Sequence, residues 1–232
     1  MVKVIVSGAL GRMGRRITEL AEKDKDLLVV GGVDLKADPN VNVVDSLDSV
    51  KDYFDCIIEF TTPTATIEHV KRCTTFKKSM VIGTTGLSEE EAGLIKDAAK
   101  AIPIVYSPNM SVGVNVLFSL IEKSALALDD SYKISIEEAH HIHKKDKPSG
   151  TAKLMSDIAK KGRADDDVPI NSIRKDEIVG DHTIVFESSV DILRIAHSAK
   201  TRDIFALGAL KAAKFVCGKK KGLFSMRDVL AL

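Results

Sequence analysis

One stretch of the chain, residues 138–151, combines three imidazoles with three lysine ammonium groups: Glu-Ala-His-His-Ile-His-Lys-Lys-Asp-Lys-Pro-Ser-Gly-Thr. An imidazole has an unperturbed pKa of about 6.5 and can donate a proton near neutral pH. A well-positioned acid of this kind accelerates a reaction by roughly 10²- to 10⁴-fold. Because ammonium groups attract anions, the stretch predicts a place where a proton is delivered to a bound anion.

The residue types in this stretch indicate how the anion would be held. His140 and His141 follow a predicted strand, where successive side chains point to opposite faces, so only one of them can readily face a given pocket. Lys144 adds a positive charge and a hydrogen-bond donor. The segment Ser149-Gly150-Thr151 opens a predicted helix, and its N–H groups and two hydroxyls suit a carboxylate. We therefore expect a small dianionic substrate.

Two other interpretations of the stretch are possible. A solvated polar loop would explain a single histidine better than it explains three histidines with Lys144 beside a helix start. A metal site at His140, His141 and His143 would need a further ligand, and no nearby acid or cysteine completes a convincing set. We therefore expect no bound metal.

A second motif lies near the start of the chain. Gly8, Gly11 and Gly14 follow a β-branched apolar run and open a helical pattern, as in a turn that brings backbone N–H groups close to a pyrophosphate. Asp34 ends the next apolar run, where a carboxylate can accept hydrogen bonds from the adenine ribose. The spacing differs from the commoner G-x-G-x-x-G, so a glycine turn without a ligand is the alternative.

Other residues bear on the choice and placement of the cofactor. A carboxylate at Asp34 repels a 2′-phosphate and favours NADH, whereas Lys36 and Arg12 could accommodate the phosphate of NADPH. The segment Gly83-Thr84-Thr85-Gly86 follows a strand and either holds the nicotinamide carboxamide or is a plain turn. We expect NADH and/or NADPH, and a reaction in which hydride reaches an unsaturated carbon while a proton reaches its neighbour.

The hydrophobic pattern changes near residue 107. Before it, apolar runs alternate with helical patterns, which predicts a parallel sheet covered on both faces. After it, residues 132–138 alternate as a strand with one wet side, residues 182–188 and 191–197 form a predicted antiparallel pair, and 205–216 is an alanine-rich helix.

The net charge, the cysteine positions and the lengths of the apolar runs indicate which classes of partner and compartment to expect. The formal net charge of +1 gives no indication of a nucleic-acid partner. Cys56, Cys73 and Cys217 are too far apart for redox or metal spacing, so we expect buried or half-buried thiols. The first strand pattern leaves no room for a signal peptide, and no apolar run approaches the roughly 20 residues that cross a bilayer. We expect a cytoplasmic protein without membrane partners.

Five motifs together resemble the dihydrodipicolinate reductase family over essentially the whole chain: Gly8–Gly14, Gly83–Gly86, Pro108–Asn115, Glu138–Thr151 and Gly180–Thr183. The resemblance implies NAD(P)H-dependent reduction of 4-hydroxy-tetrahydrodipicolinate in the diaminopimelate route to lysine. It also implies an α/β protein with a Rossmann-type dinucleotide-binding domain (residues 1–110, completed by 202–232). A smaller α+β domain (111–201), with an open mixed sheet, would bind substrate and build a homotetramer.

The resemblance also implies roles for individual residues. His140 would be the proton donor, and Lys144 would engage the substrate. His141 and the segment Ser149-Gly150-Thr151 would bind the dicarboxylate. With the glycine motif included, the expected cofactor-binding residues are Gly8, Gly11, Arg12, Met13, Gly14, Asp34, Gly83, Thr84, Thr85, Ser107, Asn109, Met110 and Arg202.

Two features depart from the family pattern. The chain is short, with the missing length between Gly162 and Asn171, and Asp176 stands where glycine is usual. Two other functions remain open. One is a Rossmann oxidoreductase acting on an amino-acid-derived imine or semialdehyde, although a semialdehyde enzyme needs a thiol nucleophile and Cys56 and Cys73 lie in strand and helix patterns. The other is a non-catalytic dinucleotide sensor.

Overall fold

The structure is a computed structural model that describes residues 1–161 and 167–232. The chain divides into two compact units. Unit 1 comprises Met1–Ser111 and Phe205–Ala231, and unit 2 comprises Val112–Ile204 with Leu232.

The described strands, in chain order, are β1 (Val2–Ser7), β2 (Leu27–Val33), β3 (Val43–Val44), β4 (Cys56–Glu59), β5 (Ser79–Ile82), β6 (Pro103–Tyr106), β7 (Lys133–His140), β8 (Ile170–Arg174), β9 (Gly180–Glu187), β10 (Ile192–Ala199) and β11 (Gly222–Phe224). The described α-helices are α1 (Arg12–Ala21), α2 (Pro63–Phe76), α3 (Glu89–Ala98), α4 (Val112–Ala127), α5 (Gly150–Lys160), α6 (Asp203–Cys217) and α7 (Met226–Leu230).

Unit 1 contains a parallel sheet in the strand order β11-β6-β5-β4-β1-β2-β3. The central strands are apolar runs that are buried along their length, as in a sheet with helices on both faces. Local signals fix the helix starts: Thr62 caps α2 ahead of Pro63, and Ser88 forms a capping box with Glu91 at α3. The predicted Rossmann-type α/β class is confirmed.

Unit 2 contains a mixed sheet in the order β10-β9-β7-β8, in which only β7 and β8 run parallel. Alternate residues of β7 and β9 pack with apolar side chains of α4 and α5 in one core; its members include Phe118, Ile121, Ile134, Met155, Ile184 and Phe186. The opposite face carries exposed residues such as Ser135 and Glu137. The predicted open mixed sheet is therefore present.

The structure corrects one boundary that matters for the chemistry. β7 continues to His140, whereas the sequence pattern placed His140 just after the strand. Strands β3, β8 and β11 and helix α7 were not predicted. The length that is missing relative to the family was expected between Gly162 and Asn171. Residues 162–166 of this interval lie outside the described residues. Among the described residues, no helix is both long enough and apolar enough to span a membrane.

Candidate active site

The glycine turn of unit 1 has no space for side chains at two of its three positions. Gly8 has a φ of +75°, and a Cβ there would lie 2.8 Å from the carbonyl oxygen of Phe60. A Cβ on Gly14 would lie 2.1 Å from the carbonyl oxygen of Gly8. Gly11 caps α1, and the first N–H groups of an α-helix have no partners within the helix. The turn therefore suits a pyrophosphate that approaches the backbone closely.

Asp34 is held against this turn. Its carboxylate accepts hydrogen bonds from the N–H of Leu10 and the N–H of Leu35, both at 2.8 Å. Gly8, Gly11 and Asp34 line a cavity of about 610 Å³ within unit 1, together with His69 and Arg72 of α2. The carboxylate thus faces the space where an adenosine would lie, while it also fixes the glycine turn.

A buried polar network connects the ends of β1 and β4 with α2. Glu59 is fully buried, and its carboxylate bonds with the ring of His69 at 2.6 Å and with the hydroxyl of Thr61. The hydroxyl of Thr84 accepts hydrogen bonds from the N–H of Thr61 at 3.2 Å and from the hydroxyl of Thr66 at 2.9 Å. The Thr84 side chain is therefore directed into the protein, whereas Thr85 is exposed.

The remaining expected cofactor residues of unit 1 follow the ends of β5 and β6. A Cβ on Gly83 would lie 2.4 Å from the Phe60 ring, so that ring packs directly on the backbone. Residues 107–110 form a tight turn in which the hydroxyl of Ser107 donates to the carbonyl oxygen of Asn109 at 2.8 Å. The carbonyl oxygen of Met110 packs on Gly208 of α6, where a Cβ would lie 1.8 Å from it. In α1, Arg12 is exposed and Met13 is half-buried. Arg202, which was expected in the dinucleotide-binding domain, is exposed and falls in unit 2.

In unit 2, His140 lies in a buried cluster with Glu138. The Glu138 carboxylate is fully buried, and it bonds with Nδ1 of His140. Burial alone would raise the pKa of Glu138, but hydrogen bonds from Arg174 and His140 lower it to about 2. Because the ionised carboxylate only accepts hydrogen bonds, Nδ1 of His140 must be the donor.

The pKa of His140 is set by opposing effects. Burial lowers it, and the positive charges of Lys144 and Arg174 act in the same direction. The hydrogen bond and the charge of Glu138 raise it, and the net result is below the ordinary range. His140 in its protonated form therefore releases a proton more easily than a free imidazolium does, and it stays protonated only at a lower pH.

Arg174 at the end of β8 connects this cluster to the loop that carries Lys144. Its guanidinium donates to both oxygens of Glu138, at 3.0 and 2.8 Å. It also donates to the carbonyl oxygens of Lys144 at 3.3 Å and of Asp146 at 2.6 Å. Arg174 was not among the residues expected at the site. It belongs to none of the sequence motifs, and it lies 36 residues from Glu138 in the chain.

Ser149 and His182 form a second pair in the cluster. The Ser149 hydroxyl caps α5 by accepting from the N–H of Ala152 at 3.1 Å, and it lies 3.3 Å from Nε2 of His182. The His140 and His182 rings meet edge to face, with centroids 5.0 Å apart. Burial lowers the pKa of His182 to about 4, and the charge of His140 contributes, so His182 is neutral at pH 7.

The strand register explains why these residues meet. Glu138 pairs with Ser172 of β8 on one side and with His182 of β9 on the other, and His182 pairs with His197 of β10. Side chains of paired residues point to the same face of a sheet. The polar row, as we call Ser172, Glu138, His182 and His197, therefore crosses all strands of the mixed sheet on the face covered by α4 and α5.

The other residues expected at the substrate site have different environments. Lys144 is ion-paired with Asp146 at 2.8 Å. His141 is half-buried, and its ring is 6.2 Å from that of His143 rather than in the Glu138 cluster. Gly150 is exposed with open space around its Cα, and Thr151 is half-buried in the first turn of α5. The structure thus brings His140 and Ser149 together in the Glu138 cluster. The other four expected residues lie outside this cluster: His141, Lys144, Gly150 and Thr151.

The candidate sites contain no obvious metal-binding arrangement. In the part of the chain that the structure describes, no group of three or more His, Cys, Asp or Glu residues is placed to hold a metal ion. Cys56 and Cys73 are buried and Cys217 is half-buried, as expected. Burial raises the pKa of the Cys56 and Cys73 thiols, which makes both poor nucleophiles.

Comparisons with known proteins give one consistent result. Residues 2–110 match the family model described as dihydrodipicolinate reductase, N-terminus, and residues 113–230 match the one described as dihydrodipicolinate reductase, C-terminus. The chain belongs to the dihydrodipicolinate reductase family. The predicted resemblance is therefore confirmed.

Individual relatives agree with this assignment. The 4-hydroxy-tetrahydrodipicolinate reductase of Aquifex aeolicus is 41% identical over 266 aligned positions that cover 100% of this chain and 99% of the relative. The enzyme of the same name from Nitrosomonas eutropha is 40% identical, with coverage of 100% and 99%. Because these alignments are longer than the 232 residues of this chain, the relatives carry additional residues.

A solved structure gives the same fold. The dipicolinate-bound dihydrodipicolinate reductase from Paenisporosarcina sp. TG-14 superposes with a TM-score of 0.87. It covers 97% of each chain at 22% sequence identity. The diaminopimelate dehydrogenase of C. glutamicum is more distant, with a TM-score of 0.64, 14% identity and coverage of 97% and 92%.

Proposed function

We propose that this chain catalyses the NAD(P)H-dependent reduction of 4-hydroxy-tetrahydrodipicolinate to tetrahydrodipicolinate, in the diaminopimelate route to lysine. The observation that carries the proposal is the identity of 41% to a reductase of that name over the full chain. The Glu138–His140 cluster supports it, because Glu138, His140 and Ser149 of the family's most specific motif form a buried acid–base arrangement.

The cofactor would be held by unit 1. NADH or NADPH supplies a hydride when bound. The glycine turn and the start of α1 would bind the pyrophosphate, and the oxygens of Asp34 would accept hydrogen bonds from the ribose. Gly83, Thr85 and the turn at residues 107–110 follow strands at the same edge of the sheet, where ligands of this fold class collect.

The substrate would be held by unit 2. The carboxylates would bind to the N-terminus of α5 at Ser149, Gly150 and Thr151, and to His141 and Lys144, which would exchange its Asp146 partner for the substrate. Nε2 of His140 would give its proton to the ring carbon next to the one that is reduced. The overall reaction would convert the substrate, NAD(P)H and one proton into tetrahydrodipicolinate, NAD(P)⁺ and one molecule of water.

Three further points belong to this proposal. Unit 1 would be the dinucleotide-binding domain and unit 2 the substrate and oligomerisation domain. The open face of the mixed sheet supports a homotetramer, because a sheet face without a helical cover can pack against another copy. A biosynthetic role of this kind fits a cytoplasmic enzyme.

The test is a coupled assay with the preceding synthase, run with NADH and with NADPH. We expect turnover with at least one cofactor. His140→Gln should lose roughly 10²-fold or more in kcat with little change in substrate KM, because it removes the proton donor. Lys144→Ala should raise KM and lower kcat while NADH affinity is kept. Wild-type protein that binds NADH but gives no turnover would contradict the proposal.

The alternatives are separated by a simple titration. A reductase of this family should bind the substrate analogue dipicolinate more tightly when NADH is present, whereas a dinucleotide sensor should ignore it. Cys56 and Cys73 are disfavoured as the thiol nucleophile of a semialdehyde reaction, because both are buried and have raised pKa values.

A further inference from the structure

We propose that Glu138 and Arg174 are positioning residues for the proton donor. Glu138 accepts the hydrogen on Nδ1 of His140, which leaves Nε2 as the nitrogen that carries the transferable proton. Arg174 fixes Glu138 and connects it to the loop that bears Lys144. This inference rests on the proposed function, since it concerns the residue that would protonate the substrate.

The geometry at Nε2 agrees with this division of roles. Nε2 of His140 has no hydrogen-bond partner among the described residues, whereas Nδ1 is bonded to Glu138. A Cβ on residue 180 would lie 3.1 Å from Nε2, so Gly180 leaves the space beside the reacting nitrogen free. Of the two ring nitrogens, Nε2 is therefore the one that is left without a protein hydrogen bond and next to a residue that has no side chain.

The carboxylate is held in one orientation by several donors. Both of its oxygens receive hydrogen bonds from the Arg174 fork, and Oε1 lies 3.3 Å from the N–H of Ser149. A paired guanidinium and carboxylate form a geometrically specific contact. Because Arg174 also holds the carbonyl oxygens of Lys144 and Asp146, one side chain sets the positions of the acid and of the anion-binding loop.

The charges around His140 determine the expected effect of removing Glu138. The groups that face the ring are Glu138 on β7, Arg174 on β8, His182 on β9 and Lys144 in the following loop. Among these, only Glu138 is negative. A carboxylate in contact with an imidazole raises its pKa by about 1 to 3 units. Without it, burial and the remaining positive charges should make His140 deprotonate at a lower pH.

The direct test measures the His140 ring by ¹⁵N NMR, with His140→Gln used to assign its signals. In the wild type, the neutral ring should carry its hydrogen on Nδ1. In Glu138→Gln, the pKa of His140 should fall by about 1 to 2 units. Asp157→Asn, which removes an exposed carboxylate from α5, should leave it unchanged. An Nε2–H tautomer in the wild type, or an unshifted pKa in Glu138→Gln, would overturn the inference.

Kinetics give a second readout. Because His140 acts as an acid, kcat/KM should decrease as pH rises through the pKa of His140, which gives the pH profile a descending limb. Glu138→Gln should move this limb to lower pH by about 1 to 2 units. A loss of activity with the limb unmoved would assign Glu138 a structural role only.

Arg174→Lys separates the two functions of the arginine. The lysine keeps the positive charge near Glu138 but cannot reach both the carboxylate and the two carbonyl oxygens. We expect the pKa of His140 to be retained and the substrate KM to rise by roughly 10-fold. An unchanged KM would show that Arg174 does not position the loop.

The two proposals can fail separately. If the wild type shows no reductase activity, the proposed function is wrong, whereas the NMR tautomer and the pKa shift still test the Glu138–His140 pair. If Glu138→Gln does not fold, as judged by circular dichroism and NADH titration, the wild-type tautomer alone decides, and an Nε2–H form refutes the inference.

Discussion

The buried histidine of the polar row predicts that this protein loses stability in mild acid. His182 is 5% exposed, and burial lowers its pKa from 6.5 to about 4. The folded protein therefore binds this proton less tightly than the unfolded chain does. The contribution of the neutral His182 ring to the free energy of unfolding is fully present above pH 6.5. It decreases as pH falls and is lost near pH 4.

The magnitude follows from the size of the pKa difference. Each unit is worth about 1.36 kcal/mol, so the interval from 6.5 to about 4 corresponds to about 3 kcal/mol, of which about 2 kcal/mol is lost by pH 5. The pKa of His140 and the pKa of His197 are lowered in the same direction, again chiefly by burial, so they add to the slope. A loss of this size is a large fraction of the stability of a typical protein.

Urea denaturation at several values between pH 7.5 and pH 4.5 measures this effect. His182→Gln should be less stable at pH 7, yet its free energy of unfolding should depend less on pH, by up to about 1.4 kcal/mol per pH unit below pH 6. The control is His143→Gln, which removes a histidine whose side chain is 74% exposed and should leave the slope intact. Equal slopes for His182→Gln and the wild type would refute the reasoning.

Three other substitutions test single contacts. Asp34→Asn should raise the ratio of NADPH to NADH efficiency by roughly 10-fold in steady-state kinetics, because it removes a charge that repels the 2′-phosphate; an unchanged ratio would exclude that role. Gly180→Ala should lower kcat roughly 10-fold with NADH affinity intact, because its Cβ would press on Nε2 of His140 at 3.1 Å, and full activity would show that the ring can yield. Asp176→Ala should lower the free energy of unfolding by about 1 kcal/mol, since residue 176 has a φ of +48°, whereas Asp176→Gly should not; thermal melts of the two variants that coincide would contradict this.

Local sequence signals predicted most of unit 1. Apolar runs, capping residues and the glycine turn act over a few residues, so they are readable without the fold. The site in unit 2 was only partly predictable. Glu138 lies 36 residues from Arg174, and only the pairing of β7 with β8 brings them together.

The unpredicted elements have the same physical explanation. β8 reads Ile-Asn-Ser-Ile-Arg, which is too polar to indicate a strand by itself, and it forms because it pairs with β7. β11 has three residues and extends the sheet of unit 1 only by pairing with β6, more than a hundred positions earlier in the chain. His182 was part of a recognised motif, but its contact with Ser149 depends on the same long-range register.

The polar row makes the surroundings of the proposed proton donor depend on the hydrogen-bond ladder of a sheet. A strand that slips by one residue turns every side chain to the other side. A single-residue insertion within β9 that shifts its register would therefore move His182 to the open face of the sheet, even if the fold survived. Changes in chain length should be tolerated between the strands and rejected within them, so natural variation in the length of this enzyme should be confined to its connecting segments.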